Sequence, residues 1–230
     1  MLSITPRPEA LFLSRQEWFA DLPPRQQSRT LASAITISGR RGDTLLRAGA
    51  QSEGWYAVLD GLVKMQMRTM SGRFAHYVGM QGGEWFGEGS ALKHELRRYE
   101  IVALRETTLV CLPNALFDDL VASSLAFNHA LLASLNARLG QAITFMGTSR
   151  MLSSIQVLAG FLCRPYWMNF PQTQLHRDEL ALITGVSRDR LDRLLEQLIE
   201  RDLVRLNGEV IEVPDEASIR EFINNGLGDY

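Results

Sequence analysis

Apolar positions along this 230-residue chain follow one spacing in the first half and another in the second. Between residues 35 and 112 they form short runs rich in Val, Ile, Tyr and Thr, and turn pairs such as Asp60-Gly61 and Ser71-Gly72 separate the runs. Many short strands with regular turns predict a small β-barrel or β-roll. Two short helices are predicted ahead of it, over residues 16–20 and 24–32.

A long helix is predicted over residues 124–150, which contain no proline. Its apolar positions step alternately by three and four residues, which is the a/d spacing of a coiled-coil seam: Leu132, Leu135, Leu139, Ala142 and Met146. A stripe of this length must pack on another surface. We favour a second copy of the chain, paired in parallel across a two-fold axis. The alternative is that the helix lies wholly on its own β-roll.

Residues 175–213 predict two helices joined by a sharp turn and followed by a hairpin. A short helix over 177–183 ends before Gly185, a residue that can adopt the positive φ required by such a turn. Ser187 is placed to cap a second helix that begins at Arg188. This second helix has one apolar stripe that must be buried: Leu191, Leu194, Leu195 and Leu198.

The hairpin, or wing, is predicted directly after the second helix. Apolar runs over 204–206 and 209–211 flank Asn207-Gly208, a pair suited to a type I′ turn. Further helices are predicted over residues 153–162 and 215–224.

Composition indicates a folded protein with one medium and one small domain, because 46% of the residues are apolar and 22% are charged. The first twenty residues lack the basic start and apolar run of a signal peptide. No uncharged apolar stretch reaches the roughly 18 residues that a membrane span needs. We therefore expect a cytoplasmic protein without a membrane partner.

Charge is distributed unevenly along the chain. Residues 151–230 contain 8 Lys+Arg and 13 Asp+Glu, a net charge of −5, whereas residues 1–150 contain 16 and 13, a net charge of +3. A nucleic-acid-binding surface is normally basic. In residues 151–230 only the run Arg188, Arg190 and Arg193, with Arg177 nearby, supplies a positive field. Nonspecific affinity for DNA is therefore expected to be modest and salt-sensitive.

The two cysteines, Cys111 and Cys163, each lie in an apolar run, which predicts small buried side chains. A protein-bound iron–sulfur cluster takes about four thiolates, so one protomer cannot hold such a cluster. His76, His94 and His129 are isolated in the sequence, and isolated histidines are more often surface or core residues than haem ligands. We expect no iron–sulfur cluster, no haem and no other metal site.

The outward face of the second helix carries the candidate DNA-reading residues. A helix that lies in the major groove presents the side chains of its first turn to base edges. Arginine can bond guanine O6 and N7 bidentately, and an acidic side chain can accept from cytosine N4. Arg188, Asp189 and Arg193 are therefore the predicted base contacts. The alternative is an ordinary amphipathic helix pair whose outward charges only face water.

This order of parts resembles bacterial transcription regulators of the cyclic-AMP receptor protein/fumarate-nitrate regulator (Crp/Fnr) family over nearly the whole chain. The most specific match runs from Arg177 through Gly185 to Arg193. The resemblance implies an α+β fold with three parts. These are a cyclic-nucleotide-binding-type β-roll over 1–123, a dimerisation helix and hinge over 124–152, and a winged helix-turn-helix DNA-binding domain over 153–230.

The resemblance also implies which residues contact DNA. Base contacts are implied for Arg188, Asp189 and Arg193, and positions at or near phosphates for His176, Arg177 and Ser187. Arg190, in the same basic run, is a further expected phosphate contact. The family usually has Glu at the position of Asp189 and Thr at that of His176, which leaves the half-site sequence open. A homodimer on an inverted repeat is implied, with RNA polymerase as a further partner.

A second match covers the segment that begins at Gly83 and ends with a nearby arginine. In cyclic-AMP-binding members, the loop that Gly87, Glu88, Gly89 and Ser90 resemble opens a short helix whose N–H groups hold the phosphate. The resemblance assigns the ribose hydroxyl to Glu88 and the phosphate to Arg98. The alternative for Arg98 is a surface ion pair with a neighbouring glutamate.

The rest of the implied effector pocket departs from the cyclic-AMP pattern. Tyr99 and Glu100 stand where those members have a phosphate-binding Ser and a small Ala, and Ala142 and Ile143 stand where they offer Thr and Ser to the adenine. Tyr99 would crowd the phosphate, and an inward Glu100 would repel it. We therefore expect another effector, or none, in preference to cyclic AMP.

The motifs of the chain bear on three classes of function. The favoured one is a homodimeric DNA-binding transcription regulator controlled by a signal at the β-roll. The alternative is a ligand-binding regulatory module that acts through protein–protein contacts. The chain has no Gly-x-Ser-x-Gly, His-Glu-x-x-His or Walker lysine motif, so we predict that it is not an enzyme.

Overall fold

The computed structural model describes residues 7–68, 74–163 and 174–225. The helices are α1 Pro8–Ser14, α2 Glu17–Ala20, α3 Pro24–Ser33, α4 Glu88–Lys93, α5 Asn114–Ser123, α6 Leu125–Met151, α7 Ser154–Gly160, α8 Arg177–Thr184, α9 Arg188–Ile199 and α10 Glu216–Asn224. The strands are β1 Ile35–Gly39, β2 Thr44–Leu46, β3 Gly54–Asp60, β4 Leu62–Arg68, β5 Phe74–Gln81, β6 Trp85–Phe86, β7 Glu100–Ala103, β8 Thr107–Pro113, β9 Leu175–His176, β10 Arg205–Asn207 and β11 Val210–Glu212.

The chain divides into two compact units. The first unit comprises residues 1–68 with 80–136, and the second comprises residues 69–79 with 137–230. The boundary between the two units lies within α6, between Asn136 and Ala137.

Two four-stranded sheets form the β-roll, in the orders β1-β8-β3-β6 and β2-β7-β4-β5. Strand β8 pairs antiparallel with both β1 and β3, so that Cys111 faces Ile35 on one side and Tyr56 on the other. In the second sheet β4 pairs antiparallel with β7, with Met65 opposite Ile101. The mixed α+β class and the β-roll that the sequence predicts are confirmed.

Five aromatic side chains lie at the centre of the first unit's core: Trp18, Trp55, Trp85, Phe117 and Phe127. Trp55 and Trp85 stack with their ring centroids 4.1 Å apart. The fully buried Phe127 packs edge-on against Trp55 at 5.4 Å and against Trp18 at 5.0 Å. Edge-to-face and offset-stacked pairs are the preferred geometries of aromatic rings. Phe127 thereby attaches the start of α6 to the β-roll.

The second unit contains α7 to α10 and a three-stranded sheet in the order β10-β11-β9. Gly185 ends α8 with a φ of +68°, as the sequence predicts for the helix-to-helix turn. Helix α9 begins at Arg188, as predicted, and it buries the predicted apolar stripe: Leu191, Leu194, Leu195 and Leu198.

The predicted cap on α9 was wrong in one respect. Ser187 is the N-cap residue, but its side chain makes no capping hydrogen bond, and only its backbone carbonyl accepts, from Leu191 N–H at 2.9 Å. By contrast, Glu179 does cap α8, because its Oε2 accepts from the backbone N–H of His176 at 2.9 Å.

The predicted turn of the wing was also wrong by one position. Asn207 pairs with Val210, so the two central residues of the turn are Gly208 and Glu209. Gly208 has a φ of +62°, and glycine at the first central position is typical of a type II′ turn. On its other edge β11 pairs with β9, with Val210 opposite His176.

Among the described residues, no single helix has both the length and the apolar composition needed to cross a membrane. Helix α5 and residues 125–143 reach that length and composition only as a pair bent by 109°. Apolar side chains of this pair, including Leu116, Phe117 and Phe127, are buried in the core of the first unit.

Replacing Phe127 by Ala is expected to lower the free energy of unfolding by about 3–5 kcal/mol, because the cavity would open between Trp18 and Trp55. Phe127→Leu retains most of the apolar volume and is expected to cost under about 1.5 kcal/mol. Urea unfolding followed by tryptophan fluorescence measures both losses. Equal losses for the two variants would show that the ring contacts, and not the filled volume, account for the stabilisation.

Candidate DNA interface and effector pocket

Helix α9 turns its charged side chains away from the buried leucines. Asp189, Arg190 and Arg193 are exposed, whereas Arg188 is partly covered. Arg193 donates from Nε to the backbone oxygen of Asp189 at 3.2 Å. The predicted base contacts therefore lie together on the first two turns of one helix, with Arg193 and Asp189 on the exposed surface.

Arg188 lies among three carboxylates of its own chain. Its Nη2 donates to Oε2 of Glu209 at 2.8 Å, its Nε lies 3.5 Å from Oδ1 of Asp192, and its Nη1 pairs with Asp178. Arg177 donates from Nε to the same Glu209 oxygen at 3.1 Å, and its Nη1 lies 3.6 Å from Asp192. We call these five residues the arginine cluster; with two arginines and three acids, its formal charge is −1.

Both arginines favour the ionised form of Glu209. The hydrogen bond from Arg177, followed by that from Arg188, lowers the pKa of Glu209 below its usual value. In turn, the hydrogen bond to Glu209 raises the pKa of Arg177. Glu209 is therefore a carboxylate at neutral pH, and it carries a full negative charge next to the start of α9.

The predicted phosphate contacts occupy the starts of two helices. His176 is the exposed N-cap residue of α8 and Ser187 is the exposed N-cap residue of α9. Arg190 donates from Nη2 to Oγ of Ser154, the first residue of α7, at 2.8 Å. Helix N-termini present free backbone N–H groups, which suits a phosphate. Among the predicted phosphate contacts, Arg177 is hydrogen-bonded to a carboxylate of its own chain, that of Glu209.

The β-roll contains a small cavity of about 10 Å³ whose polar lining includes Ser52, Tyr56, Ser90, Arg97 and Tyr99. A space of this size holds about one water molecule. Gly87, which also lines the cavity, has a φ of +90° and is the N-cap residue of α4. The glycine-rich loop predicted from the sequence thus does border the cavity.

Arg97, and not Arg98, points into the β-roll. Its side chain is buried and donates to the phenol oxygen of Tyr56, and its guanidinium carbon lies 4.8 Å from the centre of that ring. Burial, followed by the nearby Cys111, raises the pKa of Tyr56, so the phenol stays protonated. The exposed Arg98 instead donates to Oε2 of Glu95 at 3.2 Å, which is the alternative pairing considered from the sequence.

The remaining predicted effector residues occupy different environments. Glu88 is buried at the start of α4, followed by Gly89. Ala142 and Ile143 are both exposed on α6. Glu100 accepts a hydrogen bond from Gln66, its register partner on β4. Binding of an effector by these residues stays a prediction.

Both cysteines are free and buried, as the sequence predicts. Burial raises the pKa of the Cys111 thiol to about 11 and that of Cys163 to about 12. These thiols are therefore protonated at neutral pH.

Helix α6 has a line of exposed apolar side chains that repeats every seven residues: Leu125 (72% exposed), Leu132 (61%), Leu139 (58%) and Met146 (59%). Leu135, which the sequence places in the same seam, instead packs partly against the aromatic core of the first unit. Three side chains of α6 thus pack in or against the core of the first unit: Phe127, Leu131 and Leu135. The exposed apolar line is separate from them.

Comparison with known proteins adds to this geometry. The model of the Cyclic nucleotide-binding domain family matches residues 36–124. The Cyclic AMP receptor protein of Thermus thermophilus is 27% identical over 183 residues, which are 79% of this chain and 85% of that protein. The Catabolite Activator Protein structure from the same organism aligns with a TM-score of 0.50 and 25% identity, covering 93% of this chain and 100% of the other.

FixK2 from Bradyrhizobium japonicum shares the fold, with a TM-score of 0.68 at 17% identity, covering 82% of this chain and 96% of the other. A cyclic-nucleotide-binding-type β-roll with a C-terminal winged helix-turn-helix defines a class of transcription regulators with a sensor domain. This chain is similar to Crp/Fnr regulators in sequence and in fold, as its motifs predict, and residues 36–124 match the Cyclic nucleotide-binding domain family.

Proposed function

We propose that the protein is a sequence-specific DNA-binding transcription regulator that acts as a homodimer on an inverted repeat. One observation carries the proposal: burial of the leucine stripe directs Asp189 and Arg193 outward from the first two turns of α9. A helix in this orientation can enter the major groove with these side chains facing the edges of the bases. The two recognition helices of the dimer would lie about 34 Å apart, one turn of DNA.

The exposed apolar line on α6 supports the dimer. Leu125, Leu132, Leu139 and Met146 recur at the heptad period of two parallel helices. Contiguous apolar surface of this kind marks an interface more often than an accidental exposure. Pairing of α6 with its symmetry copy would bury all four side chains and place two winged helices on the same side.

We propose the β-roll as the site at which a signal controls DNA binding, with RNA polymerase as the partner that reads the bound state. One relative named above is a cyclic AMP receptor protein by its name, but the cavity of about 10 Å³ is far below the several hundred Å³ of a typical small-molecule site. Tyr56, Tyr99 and Arg97 line this space. A different effector from cyclic AMP is therefore the proposal.

Arg193→Ala and Arg188→Ala are each expected to weaken binding to a selected duplex by about 1–3 kcal/mol and to change binding to random DNA little. The reason is that a lost bidentate guanine contact affects only the cognate sequence. Gel-shift titration against a duplex selected from a randomised library measures both. Arg201→Ala removes the same charge just beyond the end of α9 and serves as the control. Equal losses on both kinds of DNA would assign these arginines to phosphates.

Leu139→Glu is expected to convert the dimer to a monomer, because it places two buried charges across the proposed seam. Sedimentation equilibrium measures the mass. The control is Ala137→Glu, which adds the same charge at an exposed position on roughly the opposite side of α6. An unchanged mass for Leu139→Glu would show that the seam is not the interface.

Cyclic AMP is expected to give no saturable heat of binding at micromolar concentrations, because the cavity must expand many-fold and displace two tyrosine rings to admit it. Isothermal titration calorimetry on the full-length protein provides the measurement. Tight, saturable binding would overturn the assignment of a different effector and leave the DNA-binding proposal intact.

A further inference from the structure

The start of the recognition helix is held by the turn of the wing. Glu209 lies at the centre of that turn, and its backbone oxygen accepts from the N–H of Arg177 at 3.0 Å. Its side-chain Oε2 accepts from Arg188 at 2.8 Å and from Arg177 at 3.1 Å. One carboxylate therefore bridges a predicted base contact and a predicted phosphate contact.

Every nitrogen of the Arg188 guanidinium faces a carboxylate in this structure. Nη1 pairs with Asp178, Nε lies near Asp192 and Nη2 donates to Glu209. A bidentate contact to guanine requires two N–H groups on one edge of the guanidinium. Both such edges of the guanidinium, Nε with Nη2 and Nη1 with Nη2, include the nitrogen that donates to Glu209, so reading a base draws Arg188 away from that carboxylate.

Random DNA and a cognate site differ in the contacts that can replace the one between Arg188 and Glu209. Random DNA offers phosphates, which the ionised Glu209 repels, and no matching base edge. A cognate site adds a guanine with two acceptors at a fixed position, which replaces the lost hydrogen bonds. The cost of releasing Glu209 is thus offset on the cognate site and not on random DNA.

We propose that Glu209 is a specificity-determining residue, whose carboxylate withholds Arg177 and Arg188 from nonspecific phosphates. This inference rests on the proposed DNA-binding function and names how the same site discriminates between sequences. A competing acid of this kind lowers the affinity for random DNA more than the affinity for a cognate site, and it thereby increases specificity. Arg193, which is exposed and hydrogen-bonded only to a backbone oxygen among the described residues, would make the first contact.

The test uses the full-length wild type to select a duplex from a randomised library. Wild type and Glu209→Gln are then titrated against that duplex and a random duplex of equal length at several salt concentrations near 0.1 M. Glu209→Gln is expected to bind random DNA about five-fold more tightly, a typical effect of one exposed charge. Its affinity for the selected duplex should change less than about two-fold, and its salt slope on random DNA should steepen by about one.

Glu212→Gln is the matched control. Glu212 lies in the same wing and is exposed, but its contact is to Asn207 Nδ2 at 3.3 Å and not to either arginine. The Glu212→Gln variant is expected to change the affinity for random DNA by less than about two-fold. Adding Glu209→Gln to an Arg188→Ala background should lower the selected-to-random affinity ratio less than it does in the wild type, because part of the effect acts through Arg188.

Three results would overturn the proposal. Equal gains for Glu209→Gln and Glu212→Gln would show a general charge effect of the wing. Equal weakening on both duplexes with Glu209→Gln, at unchanged circular dichroism and melting temperature, would show that Glu209 only positions the wing or the arginines. If the wild type selects no duplex at all, the proposed function itself fails, and that outcome is visible before any variant is made.

Discussion

Burial of one face of α9 is the constraint on which the geometry of the proposed DNA-binding surface depends. An α-helix turns by about 100° per residue, so burying Leu191, Leu194, Leu195 and Leu198 fixes the rotation of the helix about its axis. Asp189 and Arg193 must then point outward, whatever partner they meet. The same burial holds Arg188 near α8 and the wing, where acidic side chains surround it. Orientation and electrostatics at this surface thus have one common cause.

Features set by neighbouring residues were predictable from the sequence. The Asp60-Gly61 turn marks the boundary between β3 and β4, the turn at Gly185 precedes the start of α9, and the period of the leucines indicates the buried face of that helix. The positive φ at Gly185 follows from local turn chemistry. Each of these depends on residues within a few positions of one another, where spacing determines which face of an element is buried.

Features that depend on distant strands were not predictable in the same way. In the wing, the pairing of β10 with β11 places the turn at Gly208-Glu209 and not at Asn207-Gly208, and β9 pairs with the other edge of β11. Two adjacent arginines look equivalent in the sequence, yet Arg97 is buried against Tyr56 and Arg98 is exposed. The period of a strand does not distinguish them, because both precede β7, which begins at Glu100. The arginine cluster combines α8, α9 and the wing, and no local pattern indicates it.

Burial of both thiols determines how the proposed subunits can associate. Cys111 and Cys163 are the only cysteines in the sequence, and disulfide exchange requires the thiolate. With pKa values raised to about 11 and about 12, about one Cys111 thiol in a thousand is ionised at pH 8. Burial and the low thiolate fraction therefore disfavour a disulfide between the proposed partners. In the proposed dimer, exchange of subunits would depend on noncovalent contacts along α6 in oxidising and reducing surroundings alike.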